Sequence, residues 1–392
     1  MITSLNKNQI KIIKYLIPFL VIVLLVSFFA YQKSNSINAI FNKTAKLRTV
    51  NFSIENVKFK QIDQTQLQNL FYTQNDEPTE KDLLYQAFKY FDTDETISNS
   101  LSDDFNEEIL GYYSVSEKIF YTSVNKSDIS TLNPVERYIF SHEFTHYLQD
   151  STFDISNIEN SFDLQSEQNS DKRIAFIALL EGDATFTALM YTNHNDIEKV
   201  EQSVISANTN KDNNSMHPYV WNVSKLHYIE APLFILDKYK QNNNYDNINK
   251  LYQTLEISTG EIINTPNNYD PRLNTEFSDS ELKDVEIKKT LFNYQSIYKN
   301  YTFGPWEIRT IFSKFLEEDD VEKILKIVEG STLALWYNEK KDSSFIYWKI
   351  DYKDNEENIT YPFEKYCNVS NQRCDFEISD QYLNISIERK DY

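Results

Sequence analysis

Charged residues are absent from Tyr15 to Tyr31, and Lys7, Lys11 and Lys14 stand just before that run. Its 17 residues would extend about 25 Å as a helix, the short end of what crosses a membrane. Lys14 can snorkel and the two tyrosines suit the interfaces. A cleaved signal peptide is the rival reading, but Phe28 lies two before Ala30, where a cleavage site wants a small residue. The pattern predicts a tail over 1–14, an uncleaved transmembrane anchor over 15–31 and a polar tether over 32–50. Lys33, Lys43 and Lys46 follow the run, so the flanking charges nearly balance. The short basic N-terminus points to tail inside and domain outside.

Beyond residue 51 the periodicity changes. Val57 to Phe59 reads as a strand, and Lys81 to Phe91 as a helix with Leu83, Leu84, Ala87 and Tyr90 on one side. Ile109 to Val115 and Lys118 to Tyr121 read as a hairpin turning at Ser116-Glu117. Ile139, Phe140, Phe144 and Leu148 recur at helical spacing. Asn133 is placed as N-cap, Pro134 as first helical residue and Glu136 as capping-box partner. Residues 171–191 form a second helical pattern through Ile174, Ile177, Ala178, Ala184 and Ala188. The polar stretches 151–170 and 192–216 read as surface loops, with His194 and His217 solvent-exposed. Val220 to Tyr239 is apolar, aromatic and helical in pattern, and 240–300 alternates helix-like with Asn-rich pieces. Tyr301 to Glu307 opens a helix toward Leu316. From about 331 strands take over: Leu333–Tyr337, Phe345–Ile350, Ile359–Tyr361, Phe376–Ile378 and Ile385–Ile387. The expected class is α+β, with a main region over 51–330 and a β-rich C-terminal lobe over 331–392.

Composition sharpens this in three ways. A formal charge of −20 argues against nucleic acid as a partner. The 27 tyrosines and 26 phenylalanines supply a large interior, while glycine occurs only five times. Gly111 and Gly182 therefore stand out as places where backbones approach closely. Cys367 and Cys374, the only cysteines, are close in sequence. They read as a local disulfide in an oxidising compartment, against the alternative of two unrelated thiols.

The chemistry concentrates at His142-Glu143-Phe144-Thr145-His146. On a helix, residues four apart share a face, with Cβ atoms about 6 Å apart, so both imidazoles can reach one zinc ion. Glu143 is turned about 100° away. It is badly placed as a ligand but well placed to take a proton from a water on the metal, which is the H-E-x-x-H arrangement of zinc peptidases. A third histidine at the spacing some such enzymes use is missing, because Gln149 and Thr152 occupy the required glycine and histidine positions. Glu181 is the candidate third ligand: it lies among apolar and small residues, where a carboxylate is costly to bury unless paired or bound to metal. Two histidines and a glutamate leave one coordination position for solvent.

These motifs resemble zincin-like metallopeptidases of the gluzincin type. More narrowly, they resemble a group of predicted bacterial and archaeal peptidases carrying a Gly-x-Tyr strand, H-E-x-T-H-x-L-Q-D and D-x3-A-x2-A-L-x-E-G-D-A. Here those are Gly111-Tyr112-Tyr113, His142 to Asp150, and Asp171, Ala175, Ala178, Leu179 and Glu181 to Ala184. The likeness covers roughly 105–190. It implies a zincin-like core, one zinc ion on His142, His146 and Glu181, and Glu143 as general base. It also implies that an edge strand beside the metal helix pairs with an extended peptide. Many gluzincins carry an aspartate four residues after the glutamate ligand to orient a histidine; Thr185 stands there, leaving Asp150 or Asp183 as candidates for that task. His227 and Tyr228 are the candidate donors to the developing oxyanion. The expected protein is a membrane-anchored, extracytoplasmic zinc peptidase acting on peptides or proteins. The alternative is a non-catalytic surface module with a structural or vestigial zinc site.

Overall fold

The computed structural model describes residues 36–71, 78–104, 110–123, 132–209, 216–263, 276–352, 359–379 and 382–389. The expected tail and anchor, and Ile109 of the expected hairpin, lie outside them. The chain order is α1 (Ile37–Leu47), β1 (Lys58–Gln61), α2 (Gln64–Phe71), α3 (Glu80–Ala87), α4 (Ile97–Asp104), β2 (Gly111–Ser114), β3 (Ile119–Thr122) and α5 (Pro134–Phe153). Then follow α6 (Ile155–Ser161), α7 (Ser170–Thr192), α8 (Ile197–Thr209), α9 (Pro218–Lys225), a π-helical turn (Leu226–Glu230), α10 (Ala231–Asn242), α11 (Asp246–Thr254), α12 (Thr259–Ile262) and α13 (Asp279–Leu291). The last part holds β4 (Gln295–Thr302), α14 (Pro305–Phe312), α15 (Glu318–Ile327), β5 (Val328–Asn338), β6 (Ser343–Tyr352), α16 (Tyr361–Ser370), β7 (Arg373–Ile378) and β8 (Tyr382–Arg389). The class is α+β.

The central helix forms for the local reasons its sequence gives. Asn133 accepts from the N–H groups of Val135 and Glu136, Glu136 reaches back to the Asn133 N–H, and Pro134 occupies the first turn. Its Phe140 and Phe144 pack on Phe120 of β3, at ring distances of 5.6 and 5.1 Å. Phe41 of α1 meets Phe144 edge-on at 5.2 Å. Each such aromatic pair adds about 0.5–1.5 kcal/mol beyond area burial. The phenylalanines thus join α1, the small sheet and α5. That sheet has order β1-β3-β2, with β1 parallel and β2 antiparallel to β3, so β2 is an edge.

Several expectations give way. Residues 37–47 are a helix packed on the core, not tether: Ile37, Ile40, Phe41, Thr44 and Ala45 form a buried stripe, a pattern interrupted by enough Asn and Lys to look like linker. The stretch 192–216 holds α8, with Val200 and Val204 buried one turn apart on a polar helix. The stretch 151–170 likewise holds α6. Ile359–Tyr361 is no strand; Pro362 sits in the first turn of α16. The C-terminal sheet starts earlier than 331, since its order is β4-β5-β6-β8-β7. Its Trp348, Leu333 and Ile385 belong to the same buried cluster as Ala178 and Leu179 of α7. The lobe is therefore continuous with the main core. His194 is exposed, but His217 is half-buried. It accepts from the Tyr219 N–H as the cap of α9 and packs against Phe91.

With glycine so scarce, left-handed turns fall largely to Asn and Asp, at Asn195, Asn243, Asn293, Asn371, Asp154, Asp163 and Asp342, and none of the glycines has positive φ. Those residues tolerate this backbone best after glycine. The glycines serve close approach instead. A Cβ on Gly182 would fall 2.5 Å from the Ala231 Cβ, and one on Gly304 would overlap the Asp171 carboxylate. Cys367 and Cys374 form a disulfide between α16 and β7.

Two buried acids pin these elements. Asp183 of α7 is ion-paired with Arg48, just past α1, at 3.1 Å, and their side chains are 0% and 3% exposed. Arg48→Ala strands that carboxylate, and a loss of about 3–5 kcal/mol in denaturant unfolding is expected. Asp171, at the start of α7, accepts from the Thr259 N–H and hydroxyl. Burial pushes its pKa up to about 7, although the Thr259 donors pull it down. The folded value thus exceeds the ordinary one. The resulting stability is complete below about pH 4 and is lost as pH rises through about 7. The wild type should therefore lose on the order of 4 kcal/mol across that window from this group. Asp171→Asn should remove that share of the pH slope, as read from urea midpoints at pH 4 and 8.

Candidate metal centre

α5 and α7 lie side by side, and their facing surfaces bring together His142, His146 and Glu181. The two Nε2 atoms are 3.1 Å apart. Glu181 Oε2 lies 3.2 Å from His142 Nε2, and its Oε1 lies 3.5 Å from His146 Nε2. Ligands at ~2.0–2.1 Å around a tetrahedral ion are themselves about 3.3–3.4 Å apart, so the spacing of these donors fits one small divalent cation. The group can hold a metal ion. Glu181 is half-buried, as its apolar neighbours foretell. Burial raises its pKa, but His146 and His142 outweigh that and hold it well below the usual range. Burial works against a charged His146, yet Glu181 beside it lifts the imidazole to about 9 when no cation is bound.

The orientation of His146 follows from hydrogen-bond supply. The side-chain amide of Gln149 donates to the Leu180 carbonyl and to Asp183 Oδ2, both at 3.0 Å. Its Oε1 therefore faces His146 Nδ1, at 2.9 Å. That oxygen can only accept, so Nδ1 keeps its proton in either charge state, and Nε2 is the nitrogen left to bind a cation once the imidazole is neutral. Asp183 is fixed in turn by Arg48 and by the Tyr252 hydroxyl at 2.9 Å. His142 Nδ1 lies 3.4 Å from the Thr185 hydroxyl. Thr185 thus stands at the imidazole of His142.

Of the two acids expected to orient a histidine, Asp183 acts through Gln149 and not directly. Asp150 does something else: it accepts from the Tyr113 hydroxyl at 2.7 Å and pairs with Lys118 at 2.5 Å, clamping the hairpin to α5. Gln149 lies in plain view within the motif, three residues past His146. Its orienting role is invisible in the sequence because Asp183 and Leu180, which fix its amide, come from another helix.

Glu143 Oε2 accepts from the Tyr113 N–H at 3.0 Å. Burial raises its pKa, against the pull of His146 and His142. Because Tyr113 uses its N–H this way, its backbone faces away from β3, while Leu110 and Ser114 face the hairpin interior through bonds to Ser123 and Lys118. Edge strand β2 thus lies alongside the metal centre.

Tyrosines surround the group. The Tyr228 ring lies 6.3 Å and the Tyr138 ring 6.4 Å from that of His142. Tyr112, on β2, has its pKa raised by burial and by Glu143, Glu117 and Glu181. Tyr138 sits one helical turn before His142, a spacing that reveals it once the metal helix is known. Of the two expected oxyanion donors, Tyr228 flanks His142, whereas His227 lines a neighbouring cavity. Burial lowers the His227 pKa, against the pull of Glu181. Comparison with family models, curated proteins and solved structures finds no match to this chain.

Gln149→Leu should keep the fold and lower affinity for a divalent metal by about 10–100-fold, the usual effect of removing a ligand's orienting partner. Competition with a chelator measures it.

Proposed function

We propose that the protein is a zinc-dependent peptidase that hydrolyses peptide bonds in an extended chain laid along β2. The observation that carries this reading is the convergence of three protein donors, His142, His146 and Glu181, with Glu143 held beside them by the backbone of an edge strand. Structural zinc sites are closed by four protein ligands, whereas catalytic ones keep a position open. Two imidazoles from an H-E-x-x-H helix and a carboxylate from a second helix are a donor set of catalytic zinc. These features favour catalysis over a purely structural role.

Zinc, when bound to these three side chains, would polarise the substrate carbonyl and make a water acidic enough to attack near neutral pH. The remaining work belongs to the chain. Tyr113 holds Glu143 Oε2, which leaves Oε1 to take the proton of the attacking water. The same carboxyl then delivers that proton to the nitrogen of the leaving amine, so the carboxylate is regenerated at the end of the cycle. The outward-facing backbone of β2 supplies hydrogen bonds to the substrate with little sequence choice. Tyr228, beside His142, is the donor to the developing oxyanion, the role for which His227 was the other candidate.

The uncharged run over 15–31 and the Cys367–Cys374 disulfide support a membrane-anchored enzyme whose catalytic region faces an oxidising, extracytoplasmic space. Glu143→Gln is the direct test. It should keep bound zinc at wild-type stoichiometry and lose about 10²–10⁴ in cleavage rate. Undiminished cleavage by that variant would remove the general-base assignment.

A further inference from the structure

Helix α1 begins close behind the uncharged run of the sequence. Tyr31 ends that run and Ser36 caps α1, so the chain between them reaches at most about 18 Å. α1 itself is fastened to the core. Phe41 meets Phe144 at 5.2 Å, the Thr44 and Ser141 hydroxyls are 2.9 Å apart, and Arg48, just beyond the helix, pairs with Asp183. A membrane anchor over 15–31 therefore holds the start of α1, and the surface around it, close to the bilayer.

Two features mark that surface. The first is charge. From Tyr31 to the end of β1, Lys33, Lys43, Lys46, Arg48, Lys58 and Lys60 stand against Glu55 alone, in a chain whose formal charge is −20. Arg48 is taken up by Asp183, and Lys43 donates to the Tyr191 carbonyl at 2.8 Å, but Lys58 and Lys60 on β1 are exposed. The second is a groove of about 420 Å³ between the start of α1 and β1. Ile37, Ile54 and Phe59 give it apolar walls, Ser36 and Asn38 stand at its α1 end, and Glu55 is the one charged residue in its described lining.

The strand brings the two features together. Phe59 turns toward α5, 5.2 Å from the Phe120 ring and 6.3 Å from the Phe144 ring. Alternation puts Lys58 and Lys60 on the opposite face of the small sheet, where Lys60 lies 5.3 Å from the Tyr121 ring. Among the described residues β1 pairs only with β3, so its outer edge runs between groove and lysines. A surface of polar headgroups meeting that edge touches both, and can satisfy the unpaired backbone groups of the strand.

We propose that this face of α1 and β1 docks on the bilayer that carries the anchor, with Lys58 and Lys60 on the phosphates of anionic phospholipids and the groove around the upper part of an acyl chain. This rests on the anchored reading above and not on the peptidase chemistry. The anchor makes the contact intramolecular, so a weak face suffices, and each lysine near an anionic surface favours it about fivefold. The acidic remainder of the chain is repelled by the same surface, which leaves this face as the one turned to it.

The test uses the full chain in nanodiscs of equal parts phosphatidylcholine and phosphatidylglycerol. Cys367 and Cys374 are bonded to each other, so a bimane label goes only to an introduced thiol. Asn56→Cys lies exposed beside the groove, and Lys340→Cys on the turn between β5 and β6 is the exposed control. A phospholipid with a nitroxide high on its acyl chain should quench the label at 56 and spare the one at 340. Lys58→Gln with Lys60→Gln should cut the ratio of docked to undocked chains about 30-fold. Ile54→Gln, which makes the groove polar, should also reduce the quenching, with near-ultraviolet circular dichroism unchanged in both variants. An unquenched label at 56, equal quenching at 56 and 340, or quenching that either folded variant leaves unchanged overturns the proposal. Release of the chain from the discs by alkaline carbonate would instead refute the anchor, and vesicle flotation then decides about the face. The full chain should float with vesicles of the same mixture, but not with phosphatidylcholine alone nor as the double lysine variant; failure to float with the mixture refutes the docking face.

Discussion

Arg48 and Asp183 form an ion pair almost wholly removed from solvent, and the geometry of the candidate centre descends from it. A lone carboxylate at that depth would cost several kcal/mol or take up a proton. Paired with the guanidinium, it stays an acceptor of fixed direction. That acceptor fixes the amide of Gln149, the amide fixes the proton of His146, and the proton's position decides which nitrogen offers a lone pair. Arg48 also donates to Asn249 of α11 and lies 4.1 Å from the Tyr245 ring. A single cation therefore joins α1, α7 and α11 behind the site.

The sequence revealed the parts of this arrangement that are local. A cap, a proline and a glutamate within four residues specify where α5 begins, and i,i+4 spacing alone puts His142 and His146 on one face. Glu181 was legible because a carboxylate among Ala178, Gly182 and Ala184 needs a reason to be there. The hairpin was legible from two apolar runs around a polar turn. In contrast, Arg48 sits 135 residues from Asp183, and nothing near either one names the other. The helix that leads into Arg48 resembles linker because its buried stripe is narrow and its remaining positions are largely Asn and Lys. Gln149 presents the same difficulty: an amide becomes an orienting group only through the acceptors that surround it.

Tertiary context also explains the misread C-terminal stretches. Residues 359–361 have strand-like composition, but Pro362 in the first turn and the bond from the Glu364 N–H to the Thr360 carbonyl commit them to the entrance of α16. β4 was hidden in an Asn-rich segment, and its pairing with β5 carries register shifts that blur the alternation a strand would otherwise display.

The π-helical turn links this lobe to the candidate metal centre. One extra residue per turn rotates the positions on either side of it. Here Tyr228 is turned toward His142 and neighbouring His227 toward the cavity. Such a turn is rare and needs outside support. Glu230, its last residue, takes a bidentate grip from Arg309 of α14, with both bonds at 2.7 Å. Immediately afterwards Ala231 lies against Gly182, where any larger residue would force α7 and α10 apart. Since Gly182 follows Glu181, the contact that seats the π turn is adjacent to the carboxylate that completes the metal group. The sheet lobe, through α14 and Arg309, thus sets the wall facing the group of His142, His146 and Glu181, and this is a physical reason for the lobe to share one core with the helices that carry those side chains.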